Sequence, residues 1–464
     1  MFGFLASARA NEVVPHFCAP RMRKVGRHLE LFTVIIPPMS GHFSETPANT
    51  NSIAPLNPLR VGSDRVNHWQ SQHMAVTPLV QSSTRKDDRP LRIALVVDGV
   101  LPWSKGGRET MYDALVPRWE AEGIEVTTYT MRWWTTPPDG RRLRALVPRL
   151  EMYSGSRRSI RQGVFFALGT TRLLVQPFDV IVADHMPYLH LFPLRVVAWV
   201  RGVRLIVPWH EIWGRSYWIH YMGGLGRLGA TIERWAARLP DLNIAGSATV
   251  AAQLDSLGVA EHRVKLINYG MDRAALAITS PASDAPELLC VGRLAPHKGI
   301  HLALQALAIL LSEGRHVHLG IIGDGAQRAE LEALAHELDL RDHVRWYGEF
   351  DELSDVWSVI ASARVLVFPS EREGFGLTVA EAQALGTPVV TSDHLHNLAK
   401  DLVTDGATGS IVPAGDHAAL ATACGAWLDS MTSREEITSL FWQAHPELDW
   451  NTTSERWLAA IDPG

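Results

Sequence analysis

The chain has 464 residues, 46% of them hydrophobic and 20% charged, with a formal net charge of -5. That length exceeds one ordinary core and suits two to three domains of roughly 100–200 residues each. The composition excludes whole-chain disorder, and the charge excludes a global basic field for nucleic acid.

Residues 1–90 hold 9 of the 27 prolines and carry 10 Lys+Arg against 6 Asp+Glu, so they are +4 while the remainder is -9. Apart from a strand-like stretch at Phe32–Ile36 they show no sustained period, which predicts a disordered extension or a start assigned too early, with Met74 as the rival start. MFGFLASARA lacks a signal-peptide layout. The most apolar stretch, Leu194 to Trp213, is broken by Arg195, Arg201 and Arg204. Cys18, Cys290 and Cys424 lie far apart and form no CxxC pair, which fits a reducing, cytoplasmic setting.

From Leu91 the pattern changes. LRIALVVD predicts a buried strand, followed by a glycine-containing loop and a helix that Pro117 should kink or shorten. IEVTTYT, DVIVAD (179–184), VRLIVPW (203–209), DLNIAG (241–246) and RVKLIN (263–268) predict further strands with helices between most of them. Short buried strands alternating with helices predict βαβ units and a parallel sheet. SPASDAP (280–286) reads as a linker, after which the pattern restarts: ELLCVG, a helix from Lys298 to Ser312 with Ile300, Leu304, Leu307 and Leu311 on one face, HVHLGIIG, a helix carrying Leu331, Leu334 and Leu338, then HVRWYG, ARVLVFPS and TPVVTS. LDWNTTSERWLAAI closes the chain as a helix with Trp450 and Trp457 able to pack. The predicted fold class is α/β, two Rossmann-like doubly wound domains facing across a cleft, over 91–280 and 286–445, with 446–464 a helix that returns to the first. Ligands bind such sheets beyond the carboxyl ends of their strands.

Four stretches lie there. PSEREGFGLTVAEAQALG (369–386) runs from a strand through two glycines into a helix near Leu377. Gly374 and Gly376 allow close backbone approach, and the amides of Leu377 and Thr378 can take an anion. Glu373 and Glu381 flank that point as two acceptors for hydroxyls; a solvated loop glutamate and an ordinary helix glutamate are the plain alternative. In VGRLAPHKG (291–299), Arg293 and Lys298 supply two positive charges for a diphosphate, or else decorate a solvated helix start. IIGDG (321–325) lacks the third glycine of a dinucleotide fingerprint, and WSKGGRE (103–109) places Gly106 and Gly107 where a loop could close over phosphate or merely turn.

In combination, EGFGLTVAE with its two glutamates, GRLAPHKG, IIGDG and GGRE resemble the family 4 retaining glycosyltransferases of the GT-B fold, from about Leu91 to the end. The resemblance implies a nucleotide-diphospho-sugar donor (UDP-, GDP- or ADP-sugar) held mainly by the second domain and an acceptor held mainly by the first: a glycan, a lipid-linked molecule or a small molecule. It implies that Arg293 and Lys298 hold the diphosphate. Glu373 would bind sugar hydroxyls beside Gly374, Phe375, Gly376, Leu377 and Thr378, and Glu381 the ribose. Asp324 and the Gly348–Phe350 turn would lie by the base, and Gly107 would approach the phosphates from the other domain. His185, straight after DVIVAD, sits where the family places a histidine near the reacting sugar; its plain alternative is a loop histidine with one backbone bond. His210 and Trp213, in the aromatic run WHEIWGRSYW, are acceptor-side candidates, with simple packing as the alternative. The chain has no D-x-D, so no metal or other cofactor is expected. Arginines over 131–172 form either a solvated face or a peripheral membrane contact. A sugar-nucleotide 2-epimerase and a non-catalytic nucleotide-sugar-binding protein are the rival functions.

Overall fold

The computed structural model describes residues 65–66, 68–69, 89–104, 106–136, 140–154, 157–283 and 286–462. The reading of 1–90 falls almost wholly outside them.

The first lobe is a seven-stranded sheet: β1 (Arg92–Val96), β2 (Glu125–Arg132), β3 (Leu143–Pro148), β4 (Val180–Ala183), β5 (Arg204–Trp209), β6 (Leu242–Ala245) and β7 (Val264–Leu266). Its order is β3-β2-β1-β4-β5-β6-β7, and every pairing is parallel. Around it pack α1 (Gly107–Ala121), α2 (Ile160–Thr170), α3 (Leu191–Arg201), α4 (Gly214–Met222), α5 (Gly226–Ala236) and α6 (Ala248–Ser256). Both faces of the sheet are covered, which is why its strands read as continuous apolar runs. Ile93 and Leu95 enter one core, with α1; Ala94 and Val96 enter the other, with α2, α3 and α6. Trp69, within the segment expected to be disordered, is buried in that second core, and Arg65 pairs with Asp255 at 2.6 Å. Pro117 does not shorten α1, which runs through it for 15 residues. Pro117 itself is exposed, while Leu115 and Trp119 on either side are fully buried and hold the helix against the sheet.

The second lobe is a six-stranded parallel sheet of β8 (Leu288–Val291), β9 (Leu319–Ile322), β10 (Val344–Gly348), β11 (Val365–Phe368), β12 (Val389–Ser392) and β13 (Gly409–Val412), in the order β10-β9-β8-β11-β12-β13. Its helices are α7 (Arg273–Ala277), α8 (Ile300–Ser312), α9 (Arg328–Glu337), α10 (Leu353–Ser362), α11 (Leu377–Ala384), α12 (His417–Asp429) and α13 (Arg434–Ala444). Both sheets reverse strand direction of travel beside their first strand, between β1 and β4 and between β8 and β11. Loops that leave those four strands therefore line a crevice at each switch point.

The chain passes between the lobes at 268–272, ahead of the 280–286 stretch that reads as a linker, since α7 already packs on α11. It crosses back at 445–449, and α14 (Trp450–Ile461) lies along α1, with Trp457 against Trp119 at 5.7 Å between ring centroids. The Arg204 guanidinium donates to the carbonyls of Ala460 and Ile461 at the end of α14. The two crossings meet: Met271 N donates to Leu448 O, Trp450 N to Met271 O, and Asn268 Nδ2 to Glu447 Oε1.

Candidate functional site

In the first lobe, β1 and β4 are neighbours, and each apolar run ends in an aspartate. Asp98 and Asp184 are both fully buried. Two buried carboxylates require partners, and α1 supplies one in its first turn. Arg108 lies 3.0 Å from Asp98 and 3.6 Å from Asp184, and also binds its neighbour Glu109 at 2.6 Å. Arg158 adds a second cation to Asp98 at 2.6 Å. Burial pushes the Asp184 carboxyl up, but Arg108 and His210, with His185, hold it well below the usual range. Asp98 is likewise raised by burial and pulled down further by Arg158 and Arg108.

Asp184 orients two imidazoles. His210 Nε2 is 3.1 Å from Asp184 Oδ2, and its Nδ1 meets the Tyr269 hydroxyl. His185 Nδ1 lies 3.2 Å from both Asp184 Oδ1 and the Pro208 carbonyl. Neither of those oxygens can donate, so Nδ1 carries the proton. Burial lowers the His185 pKa against the pull of Asp184, which favours the neutral ring. The lone pair then resides on Nε2, which is buried with no partner. The ring stacks on Trp209 at 5.2 Å. Among the described residues, Asp184, His185 and His210 are the group whose ligand atoms could surround a metal ion, lying within 4.8 Å of one another. The adjacent Arg108 and the proton on His185 Nδ1 fit a hydrogen-bonded network better than a cation site.

In the second lobe, the β8–α8 loop carries Arg293, which is exposed, and Lys298. Lys298 Nζ reaches Glu373 Oε2 at 2.5 Å and sits 5.1 Å over the Phe368 ring. Gly299, at φ 68°, ends the turn that aims Lys298 and packs on the Pro369 carbonyl, where a side chain would collide. His297 shows how concentrated positive charge is here: burial, then Arg372, Lys298 and Arg293, lower its pKa to about 3. Gly376 adopts φ 95° as it opens α11, bringing the amides of Leu377 and Thr378 to the head of that helix. Glu381 lies in the same helix but is buried, and burial lifts its pKa to about 7. Asp324 is exposed after β9, where its carboxylate accepts from Gly325 N at 2.7 Å. The Gly348–Phe350 turn follows β10, with Tyr347 and Phe350 rings 5.9 Å apart.

The lobes are closed on each other. Gly374 abuts the His210 backbone, and Gly107 faces Leu377, where an added Cβ would be 3.3 Å from Leu377 Cδ1. The Phe375 and Tyr269 rings are 4.9 Å apart. Arg372, beside Glu373, crosses to Glu211 at 3.5 Å and to the Tyr217 hydroxyl, and its guanidinium lies 5.0 Å over the Trp213 ring. Burial raises the Glu211 carboxyl, while Arg372 and the Trp213 indole bring it below its ordinary value. Trp213 is thus buried within an interlobe contact rather than open to solvent. Lys298 pairs with Glu373, Gly374 abuts His210, Phe375 meets Tyr269, and Gly107 meets the head of α11. Asp324 lies on the loop next to Arg293, its backbone carbonyl accepting from Leu294 N at 2.9 Å, and Glu381 is buried on α11. Sequence reading missed Asp98, Arg108, Asp184, Glu211, Tyr269 and Arg372. The signal for two of them was present: both LRIALVVD and DVIVAD end an apolar strand in aspartate.

Comparison with known proteins covers both lobes. Residues 105–275 match the model of Glycosyltransferase Family 4, and residues 273–439 that of Glycosyl transferases group 1. The chain is 33% identical over 301 residues to a glycogen synthase of Mycobacterium tuberculosis, covering 61% of this chain and 69% of that protein. It is 27% identical over 403 residues to the D-inositol 3-phosphate glycosyltransferase of Thermomonospora curvata, covering 76% and 89%. Among solved structures, the Anabaena protein HepE in complex with UDP-glucose superposes with a TM-score of 0.62 at 17% identity, over 80% of this chain and 99% of that one. The chain belongs to the family 4 glycosyltransferases and has the GT-B fold.

Proposed function

We propose that this glycosyltransferase moves a sugar from a nucleotide-diphospho-sugar to an acceptor hydroxyl with retention of anomeric configuration and without a bridging metal ion. The observation that carries the reading is the Lys298–Glu373 pair beside the head of α11. When the anomeric C–O bond breaks, negative charge grows on the departing diphosphate. Arg293, Lys298 and the first amides of α11 would receive it, a preorganised set that needs little reorganisation. A diphosphate drawn onto Lys298 would release Glu373 to accept sugar hydroxyls, while Glu381 would take the ribose and Asp324 the region of the base. His185 Nε2, a buried lone pair, would accept from a hydroxyl of the reacting sugar, with His210 and Trp213 on the acceptor side. The acceptor oxygen would attack the face that the diphosphate leaves. Its proton would pass to a phosphate oxygen as the new C–O bond forms. HepE's complex with UDP-glucose supports a nucleotide sugar as donor; UDP-, GDP- and ADP-sugars all fit these charges.

Lys298→Ala and Arg293→Ala should each lower turnover on the order of 10²–10³-fold, the worth of one such donor. Normal turnover by both variants would overturn the assignment. Product anomers followed by proton NMR test retention, and turnover unchanged by a chelator tests the metal-free reading.

A further inference from the structure

Thirteen of the seventeen large apolar side chains exposed among the described residues fall between 160 and 235. They lie on elements that cover one face of the first sheet. Helix α2 presents Val164, Phe165 and Leu168, the last 62% exposed; α3 presents Trp199, at 75%, and Val200; α5 presents Leu228 and Trp235. These helices are neighbours. Helices α2 and α3 pack directly on each other, while Tyr188 donates to Glu233 of α5 and Arg195 of α3 binds Asp241 just beyond α5. A monomer rarely leaves so broad an apolar face to water.

The charge on this face is one-sided. Residues 157–240 contain eleven arginines, no lysine and four acids, a balance of +7 in a chain whose total is -5. All four acids are spent inward: Asp179 on Arg92, Glu211 on the Trp213 indole, and Asp184 and Glu233 fully buried. Arg161, Arg172, Arg201, Arg215, Arg227, Arg234 and Arg238 are exposed. The arginines before α2 are engaged elsewhere: Arg141 binds Asp113, Arg142 binds Glu125 and Arg144 binds Gln176. A second copy of the chain would set these seven exposed arginines against seven more, so the charge argues against self-association.

We infer that the face formed by α2, α3 and α5 docks on a bilayer of anionic lipid, its tryptophan, phenylalanine and leucine side chains entering the headgroup boundary and its arginines meeting the phosphates. Helices of this composition lie in the interface plane, and anionic lipid adds attraction for each arginine near the surface. Among the described residues no helix is long and apolar enough to cross a membrane, so the contact is peripheral in kind. The inference goes beyond the transfer reaction and does not depend on it.

The test is co-sedimentation of the full chain with phosphatidylcholine vesicles, with and without phosphatidylglycerol. Wild-type protein should bind the phosphatidylglycerol vesicles at least about tenfold more tightly, and added salt should weaken that binding. The pairs Phe165→Ser with Leu168→Ser, and Arg227→Glu with Arg234→Glu, should each lose at least about tenfold in vesicle affinity. Both should keep the wild-type melting temperature and nucleotide affinity. Equal or absent binding of wild type to the two vesicle types would overturn the inference. So would variants that sediment like wild type, or a wild-type dimer in solution that the apolar variant converts to monomer.

Discussion

Gly374 decides how closely the lobes meet, and replacing it with alanine isolates that one distance. A Cβ built there lies 3.2 Å from the His210 carbonyl carbon and well inside 3.0 Å of its oxygen, closer than real Cβ atoms come. The obstacle is backbone of the opposite lobe, not a side chain that could swing away. The lobes must part by about half an ångström or more, and misplacement of reacting groups by about 1 Å costs on the order of 10²-fold in rate. Gly374→Ala should therefore lower kcat by about 10–100-fold. The contact lies between lobes, so each core stays intact, and the melting temperature should move by no more than an exposed substitution causes, within about 0.5 kcal/mol. Nucleotide affinity, measured by calorimetry on the second lobe's site, should also hold. Gly376→Ala is the contrast: it forces a side chain into φ 95° and onto Ala399 within the same lobe, and should destabilise by about 1–3 kcal/mol. Full kcat in Gly374→Ala would refute the claim that this closed arrangement is the reacting one.

Three further outcomes follow from the geometry. Glu381 has a folded pKa of about 7 against an ordinary value of 4.5, so folding retains its proton; stability should be highest below about pH 4.5, fall as pH rises to about 7 and then level off. Glu381→Gln should flatten that slope, by up to about 3 kcal/mol, in denaturant midpoints taken across the window. Asp184→Asn leaves Arg108 short of a buried counter-charge and should cost about 3–5 kcal/mol by chemical denaturation. Trp457→Ala empties the contact with Trp119 and should cost about 3–5 kcal/mol, read as a lower denaturant midpoint with little change in slope.

The strands were legible where both faces are buried, because LRIALVVD and ELLCVG are unbroken apolar runs that become β1 and β8. Edge strand β3 was not. RRLRALVPRL reads as a basic stretch, and Arg142, Arg144 and Leu146 share one parity; a shift in the β2–β3 register at Ala145–Val147 lets Leu146 be buried while Arg142 and Arg144 reach Glu125 and Gln176. Glycines 374 and 376, with Lys298 and Glu373, were legible because loop glycines between a strand and a helix mark close backbone approach. The network around Arg108 was not, since Asp98 and Asp184 are 86 positions apart and become neighbours only when β1 pairs with β4. Arg372 carries no signal of its own in PSEREGFG; its contacts appear only once Glu211, Tyr217 and Trp213 of the other lobe stand opposite it.

The double passage of the chain has a mechanical consequence. Because Met271 and Leu448 are bonded to each other, both connecting segments run through one spot. Relative motion of the halves is confined to swinging about that spot, as a book turns on its spine. Such a swing must break the contact of Arg372 with Glu211 before the lobes can part. Shearing or twisting the halves apart would require the two segments to separate first.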